Sequence, residues 1–505
     1  MKTVILSLAA LVSTTVMVAQ SNASDVSQTG DDNLADVTQV GATNSSVTLQ
    51  EGMGNTATAI QGSDAFASTS GVVQQTQIGN KNSATAQHEE VLNEIYQVQI
   101  GDGNTASATQ NLAFFGGGNL ANQSQEGNGN GAVISQEGIL NTAFQVQVGD
   151  ANSASSTQEG TFNVSDINQN GTFNSAIITQ IGDGNSSRQT QLGDANVATG
   201  EQWGPDNVLI QDQDGGGNAA VSIQGSSSFE SRGGEVQQIQ IGEENSAFAN
   251  HEEDNNTILQ GQAGDANSAS ADQNLGSFGG DNLAIQVQLG NGNVATASQN
   301  GSTNISDQLQ SGDENVASVT QSGTDNVAVQ TQIGIGNNAE ALQGGFFFTS
   351  RGGSINQTQS GEENNAFARH EEDNNTIVQN QTGIGNSASA TQNILTFGGE
   401  NVTDQFQFGN GNVAEASQEG GDGLSGESNL VLHFQFGDEN LAISDQNGVG
   451  NTSDIFQVGT SNVASDIQNG VNNNTFVTQF GELNTSTILQ NGTNNSAVVT
   501  QNGGQ

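Results

Sequence analysis

Three trios, His88-Glu89-Glu90, His251-Glu252-Glu253 and His370-Glu371-Glu372, set an imidazole beside two carboxylates. These are the residue types of a metal ligand set or a general acid/base pair. Either chemistry needs several such groups within a few ångströms of one another. Each trio offers one imidazole, and the closest two trios, His251 and His370, are 119 residues apart. That distance is five coils of the repeat derived below, on the order of 25 Å. The trios therefore read as a structural variant of a turn, with a weak cation-binding or pH-sensitive role as the sharper alternative. His433 lacks such neighbours and reads as an ordinary surface residue.

Carboxylates also recur in turns. Asp102, Asp150, Asp194, Glu243, Glu244, Asp313, Glu314, Glu362 and Glu363 each follow a glycine by one or two positions and fall on one edge of the repeat. Calcium takes several oxygen ligands, so these residues are the candidate cation ligands, and Ca²⁺ is the one ion they suggest. The plainer reading is a solvated face that limits lateral clumping. Like charges one coil apart would repel by about 1 kcal/mol per pair in water and less in salt, so cations or low pH would ease assembly. The Gly-Gly-x-Gly-x-Asp calcium repeat does not occur, and no metal site or other cofactor is expected.

The elements that position these groups are set by glutamine, which recurs every eleven residues along most of the chain. Each unit reads Gln-x-Gly-x-x-Asn and then alternates small or apolar with polar residues up to the next Gln. The alternation predicts a strand and the Gly-x-x-Asn its turn. In Asn152, Ala154, Ser156 and Gln158 every second residue shares one side of the strand, so Asn, two small or aliphatic residues and Gln face inward. Buried amides need partners, and stacking each on its counterpart one coil away provides them. The expected ladders include Gln125, Gln136, Gln147, Gln158, Gln169 and Gln180, with Asn130, Asn141, Asn152 and Asn163. Gly127, Gly138, Gly149 and Gly160 supply the turn angles.

Counting from Gln28 gives 41 slots, of which 38 hold Gln and three hold His88, His251 and His370. Extra residues interrupt the register at seven points, after Gln61, Gln110, Gln224, Gln273, Gln343, Gln392 and Gln418, and every one follows an even-numbered unit. A coil of two strands and 22 residues would put all seven on one edge. The predicted fold is all-β, a two-sheet β-solenoid of about twenty coils and on the order of 100 Å long. The insertions hold Phe346, Phe347, Phe348, Arg232 and Arg351, and read as tolerated loops or as decoration for lateral contacts.

Composition excludes several function classes. Hydrophobic residues make up 32% of the chain, with 67 glycines and one proline, Pro205, so a globular enzyme core is not expected. Six basic residues against 53 acidic ones, a net charge of -47, argue against nucleic-acid binding. The chain has no cysteine, so stability must come from stacking. Lys2 before the apolar run 4–18, with small residues up to Ala23, reads as a secretory signal over residues 1–23. That run is too short for a membrane span, and no membrane insertion is expected. Residues 24–505 form the repeat region.

The segment Gln99-Ile100-Gly101-Asp102-Gly103-Asn104-Thr105-Ala106-Ser107-Ala108-Thr109-Gln110 resembles the repeat of curlin, the subunit of curli amyloid fibres in bacterial biofilms. The resemblance runs over residues 24–505, with many more repeats than curlins commonly carry and no non-repeat export segment after the signal. It implies two strands per coil, export through an outer-membrane curli-type secretion pore and a surface nucleator. Without the resemblance, strands with unpaired edges at both ends of the solenoid favour head-to-tail addition of further copies. The expected function is a secreted, self-assembling fibre protein of the cell surface, non-enzymatic, for matrix cohesion and adhesion. The alternative is a monomeric acidic β-solenoid adhesin or cation-binding surface protein.

Overall fold

Alternating side chains with glycine turns every eleven residues leave the chain one efficient way to pair its backbone, which is to wind into stacked coils. A computed structural model describes residues 21–112, 116–275, 279–345, 349–394, 399–420 and 428–503. Residues 1–20 of the signal reading over 1–23 and the insertion residues Phe346, Phe347 and Phe348 lie outside the described residues, and Ala23 opens the first strand, Ala23–Thr29. Among the described residues there are forty-four strands, three of them two-residue pieces at turns (Gly41–Ala42, Ser68–Thr69 and Ser350–Arg351), which leaves forty-one full strands. Among the described residues no helix is long and apolar enough to cross a membrane.

Successive full strands alternate between two sheets. The first holds the odd-numbered strands, such as Leu120–Glu126, Thr142–Val148 and Val164–Asn170, and the second the even-numbered ones, such as Gly131–Ile139, Ser153–Thr161 and Ser175–Ile181. Every pairing is parallel and joins a strand to the strand one coil away, in register. Gln125 stands on Gln147 and Gln147 on Gln169 in one sheet, while Gln136 stands on Gln158 and Gln158 on Gln180 in the other. The architecture is a two-sheet β-solenoid of about twenty-one coils. The seven insertions all lie between an even strand and the following odd one, and the pairing on either side resumes in register, as Val327–Ile335 with Ser354–Glu362.

The narrow space between the sheets is filled by small residues. Ala143, Ala154 and Ala176 pack there with an occasional Ile134, Ile167 or Ile178, all buried. A row of alanines keeps the sheets close enough for the longer Gln side chains to span to the opposite strand. Gln147 Nε2 thus donates to Gly131 O across the core at 3.0 Å, and Gln158 Nε2 to Thr142 O at 3.0 Å.

The odd sheet carries a second inner glutamine two positions before the first, running from Gln189 through Gln211, Gln238 and Gln260 to Gln405. His433 occupies the next slot of this row, directly over Gln405. The surface reading of His433 is therefore corrected. It is fully buried, with Nε2 2.7 Å from Ser444 Oγ, because the strand's alternation points this position inward.

Candidate functional site

The amide ladders have a direction. Gln125 Nε2 donates to Gln147 Oε1 at 2.9 Å, and Gln147 passes the bond to Gln169 at 2.8 Å. In the other sheet Gln136 donates to Gln158 and Gln158 to Gln180, each at 2.8 Å. In these glutamine ladders the donor belongs to the N-terminal coil. Each ladder glutamine therefore offers its N–H toward the C-terminal neighbour and its Oε1 toward the N-terminal one, whereas the asparagine ladders run the opposite way, Asn152 Nδ2 donating to Asn130 Oδ1 at 3.2 Å. Where a ladder starts, its first acceptor has no hydrogen-bond partner, as at Gln75 Oε1 and Gln189 Oε1.

Asparagines tie the turns together. Asn130 Oδ1 accepts the Asn152 backbone N–H at 3.0 Å, while Asn130 Nδ2 donates to Gly149 O at 2.7 Å. Asn141, Asn152 and Asn163 repeat the bond to Gly160, Gly171 and Gly182 at 2.9, 2.8 and 2.7 Å. The turn glycines are fixed twice over. Gly127 has φ +116°, and a Cβ there would stand 2.0 Å from Gly149 O.

The acidic edge is more ordered than its composition suggests. Asp102 Oδ1 accepts both the backbone N–H and Nδ2 of Asn80, at 2.8 and 3.0 Å. Asp150 does the same for Asn128 at 2.8 and 3.0 Å, and Asp194 accepts from the N–H and hydroxyl of Thr172 at 2.9 and 2.7 Å. Asp313 Oδ1 takes the Asn291 N–H at 2.9 Å, and Glu243 donates its own N–H to Asp265. Asn, Thr, Gly or Ile occupies the neighbouring coil above and below Asp102, Asp150, Asp194 and Asp313. Like charges in these columns thus stand two coils apart, ~10 Å, which is about one Debye length. The expectation of acids one coil apart holds at Glu243 and Asp265, and the other acids of these turns are separated by an uncharged residue.

Glu244, Glu314 and Glu363 take the left-handed position of the turn, with φ of 56°, 56° and 53°. Each lays its Cγ over a glycine of the coil before, Gly217, Gly292 or Gly336. Glu362 stands beside Glu363 in the same turn. Among the described residues no group of three or more His, Cys, Asp or Glu side chains is gathered so as to hold a metal ion.

The histidine trios are built by compensating changes twenty residues upstream. Ser68 stands where the turn glycine Gly41 stands one coil before, and Gly71 replaces the turn asparagine. The space that Asn would fill receives the next coil's imidazole, for a Cβ on Gly71 would lie 2.0 Å from His88 Cε1. Ser231 with Gly234 receives His251, and Ser350 with Gly353 receives His370, in the same way. His88 Nε2 faces Gln61 Nε2 at 3.2 Å, and His370 Nε2 faces Gln343 Nε2 at 3.1 Å. Burial lowers these imidazoles from 6.5 to about 4 in His88 and about 3 in His251 and His370. His251 Nε2 has no hydrogen-bond partner, and Gln224 donates to Val208 O and Gly234 O instead. A neutral imidazole that accepts from the glutamine before it, as in His88 and His370, or that has no partner, as in His251, gives nothing to the glutamine after it. Gln110, Gln273 and Gln392, one coil above each His, accordingly hold buried Oε1 atoms with no hydrogen-bond partner.

The second Glu of each trio, Glu90, Glu253 or Glu372, occupies the turn-glycine slot with φ of 65°, 66° and 63°. This is the left-handed region open to a residue with a Cβ, unlike the φ near +115° of the ordinary turns. Ser-x-x-Gly in place of Gly-x-x-Asn, always twenty residues before the His, is the signal in the sequence that would have exposed the pairing.

Against known proteins, the family model described as the curlin associated repeat matches residues 30–62 and 470–503. No curated protein is matched by this chain. The matched stretches lie toward the two ends, and the strands between them carry the same inward Gln and Asn slots and the same parallel register. In those two stretches the chain is similar to the curlin associated repeat, on a β-solenoid consistent with it throughout.

Proposed function

We propose that this chain is a secreted structural protein whose copies stack into extracellular cross-β fibres, serving matrix cohesion and surface adhesion. The directional, self-matching ladder carries the reading. A coil's upper face of glutamine amide donors complements the lower face of any other coil, so two copies can pair by the contacts that already join Gln147 to Gln169. The outermost strands, Ala23–Thr29 and Ser496–Asn502, are largely open to solvent, and docking of another copy would bury their inner amides. A docking polarity that left those amides unpaired once buried would cost about 1–3 kcal/mol for each, which selects one polarity. The similarity to the curlin associated repeat supports the same assignment. Residues 1–23, with Lys2 before an apolar run and small residues up to Ala23, act as the secretory signal. By the curlin likeness an outer-membrane pore and a surface nucleator are the partners. The uncharged spacers on the acidic edge let the stack extend despite the net charge of -47. Ca²⁺ would act there by screening the carboxylates rather than by filling a closed site.

The test is seeded growth of the purified repeat region diluted from denaturant, with and without Ca²⁺ and at pH 4 and 7. Thioflavin fluorescence, electron microscopy and fibre diffraction should show filaments with a spacing near ~4.8 Å along the axis. A soluble β-rich monomer in every condition would reject the fibre reading and favour the acidic surface adhesin.

A further inference from the structure

The two outer faces of the solenoid differ. In the even strands Val413–Glu419, Leu441–Val449 and Val463–Val471 the outward positions hold aliphatic, acidic and uncharged polar residues and no aromatic ring. The odd sheet becomes aromatic between Val402–Phe408 and Asn474–Glu482. Phe406 stands over Phe434 and Phe434 over Phe456 in strand register, while Phe408 stands over Phe436 in the next column. Across the columns, Phe406 and Phe436 have ring centroids 5.5 Å apart, Phe436 and Phe456 5.8 Å, and Phe456 and Phe480 6.0 Å. Phe408, Phe476 and Phe480 stand exposed at the rim. Phe434, Phe456 and Phe476 border a notch of about 380 Å³ whose polar lining is Asp454 and Thr478.

We propose that this aromatic face is a lateral interface with a second copy of the chain, pairing two filaments face to face. The proposal rests on the fibre reading above. The patch is self-complementary in kind, because it contains both projecting rings and a largely apolar notch roomy enough to receive one, as a two-fold contact requires. Four strands at ~4.8 Å spacing and seven residues at ~3.3 Å give ~450 Å² per copy. That is about half of the ~800 Å² per partner of a stable interface, so two single chains would not hold together. In a fibre the patch recurs once per subunit, and many weak contacts then act as one. A planar polysaccharide fits less well, since neighbouring rings are inclined by 35° to 62° and form no common platform.

Asp404 and Asp454 lie on the same face, two coils apart with Leu432 between them. Burial already raises both carboxyls, and a facing copy would bury them further, so pairing should tighten as pH falls.

The experiment compares fibres of the wild-type chain and the F408S/F476S/F480S variant at pH 7 and pH 5, using mass per length and cryo-electron microscopy. Wild-type fibres should show two solenoids in cross-section, most completely at pH 5. The variant should elongate from seeds at an unchanged rate with about half the mass per length. Single-solenoid wild-type fibres, or a variant that still pairs, would overturn the lateral interface and leave the fibre reading standing. So would single filaments that adsorb to insoluble polysaccharide through the same three rings. The absence of any filament would overturn both.

Discussion

Ser68 donates its hydroxyl hydrogen to Asn44 Oδ1 at 2.9 Å, so a lone pair of Ser68 Oγ is what faces His88 Nδ1 at 3.2 Å. The network therefore assigns the proton of His88 to Nδ1 and leaves Nε2 to accept from Gln61. Ser68, Gly71 and His88 act as one unit, and a double-mutant cycle should detect it. Gly71→Asn alone forces a side chain against the imidazole and should destabilise the local coils by roughly 2–3 kcal/mol. His88→Gln alone restores a donor for Gln110 and should cost ~1 kcal/mol or less. The double variant recreates the ordinary Asn and Gln pair and should recover most of the loss. Hydrogen exchange of the strands Thr56–Gln61, Ser83–His88 and Thr105–Gln110 reads these local free energies, and additive effects would reject the coupling.

The same histidines set a pH response. Their folded values are depressed to about 4 in His88 and about 3 in His251, His370 and His433, below the ordinary 6.5. The unfolded chain then binds more protons between these limits, so stability is full above pH ~6.5 and falls as pH drops toward about 4 and then 3. Asp466 works in the opposite sense. Burial lifts its carboxyl to about 6, so its penalty is present above that pH and fades toward the unfolded value of 3.8. At pH 4.5 the three ladder histidines should dominate, and the H88Q/H251Q/H370Q variant should resist proteolysis there better than wild type while differing little at pH 7. Equal pH sensitivity of the two chains would reject this assignment.

Much of this architecture is legible in the sequence because its cause is periodic. A Gln every eleven residues and a parity of insertions fix two strands per coil, since a one-residue slip would turn every Gln outward. Compensation between coils is harder to read. Ser68 and Gly71 look like loop residues until the neighbouring coil puts His88 into the space they vacate. His433 reads as a surface residue for a similar reason, because the second inner glutamine row occurs only in odd units and shows itself only when Gln405 is set beneath His433. The spacing of the acids by Asn and Thr is likewise a property of residues 22 apart, and becomes visible only when coils are stacked.

The turn aspartates make a separable prediction about charge and hydrogen bonding. Asp102→Asn keeps an Oδ1 acceptor for Asn80 and removes one negative charge, so it should leave the coil's stability within ~0.5 kcal/mol and lessen the salt dependence of assembly. Asp102→Ala also removes the charge but strands the Asn80 N–H, and should cost ~1 kcal/mol. Thioflavin growth rates at low and high salt, beside hydrogen exchange of the Gly101-Asp102 turn, distinguish the two effects. If both variants behave alike in exchange, the carboxylate is only a surface charge.

Two glycines of one turn separate backbone angle from space. Gly127 has φ +116°, and an added methyl would meet Gly149 O at 2.0 Å, a backbone atom held in place by Asn130. Gly129 has φ +66°, and a Cβ there meets nothing within 4 Å. The corresponding place in the next coil of this edge is already filled by Ala151, with φ 57°. Gly129→Ala should therefore cost only ~1 kcal/mol, the ordinary expense of a left-handed alanine. Gly127→Ala must push adjacent coils apart, breaking both the Asn130 bond and the pairing on either side. It should abolish protection of Leu120–Glu126 and Gly131–Ile139 in hydrogen exchange, whereas Gly129→Ala should leave it nearly unchanged. Comparable protection in the two variants would mean that the coils are not held at the separation the Asn and Gly contacts require.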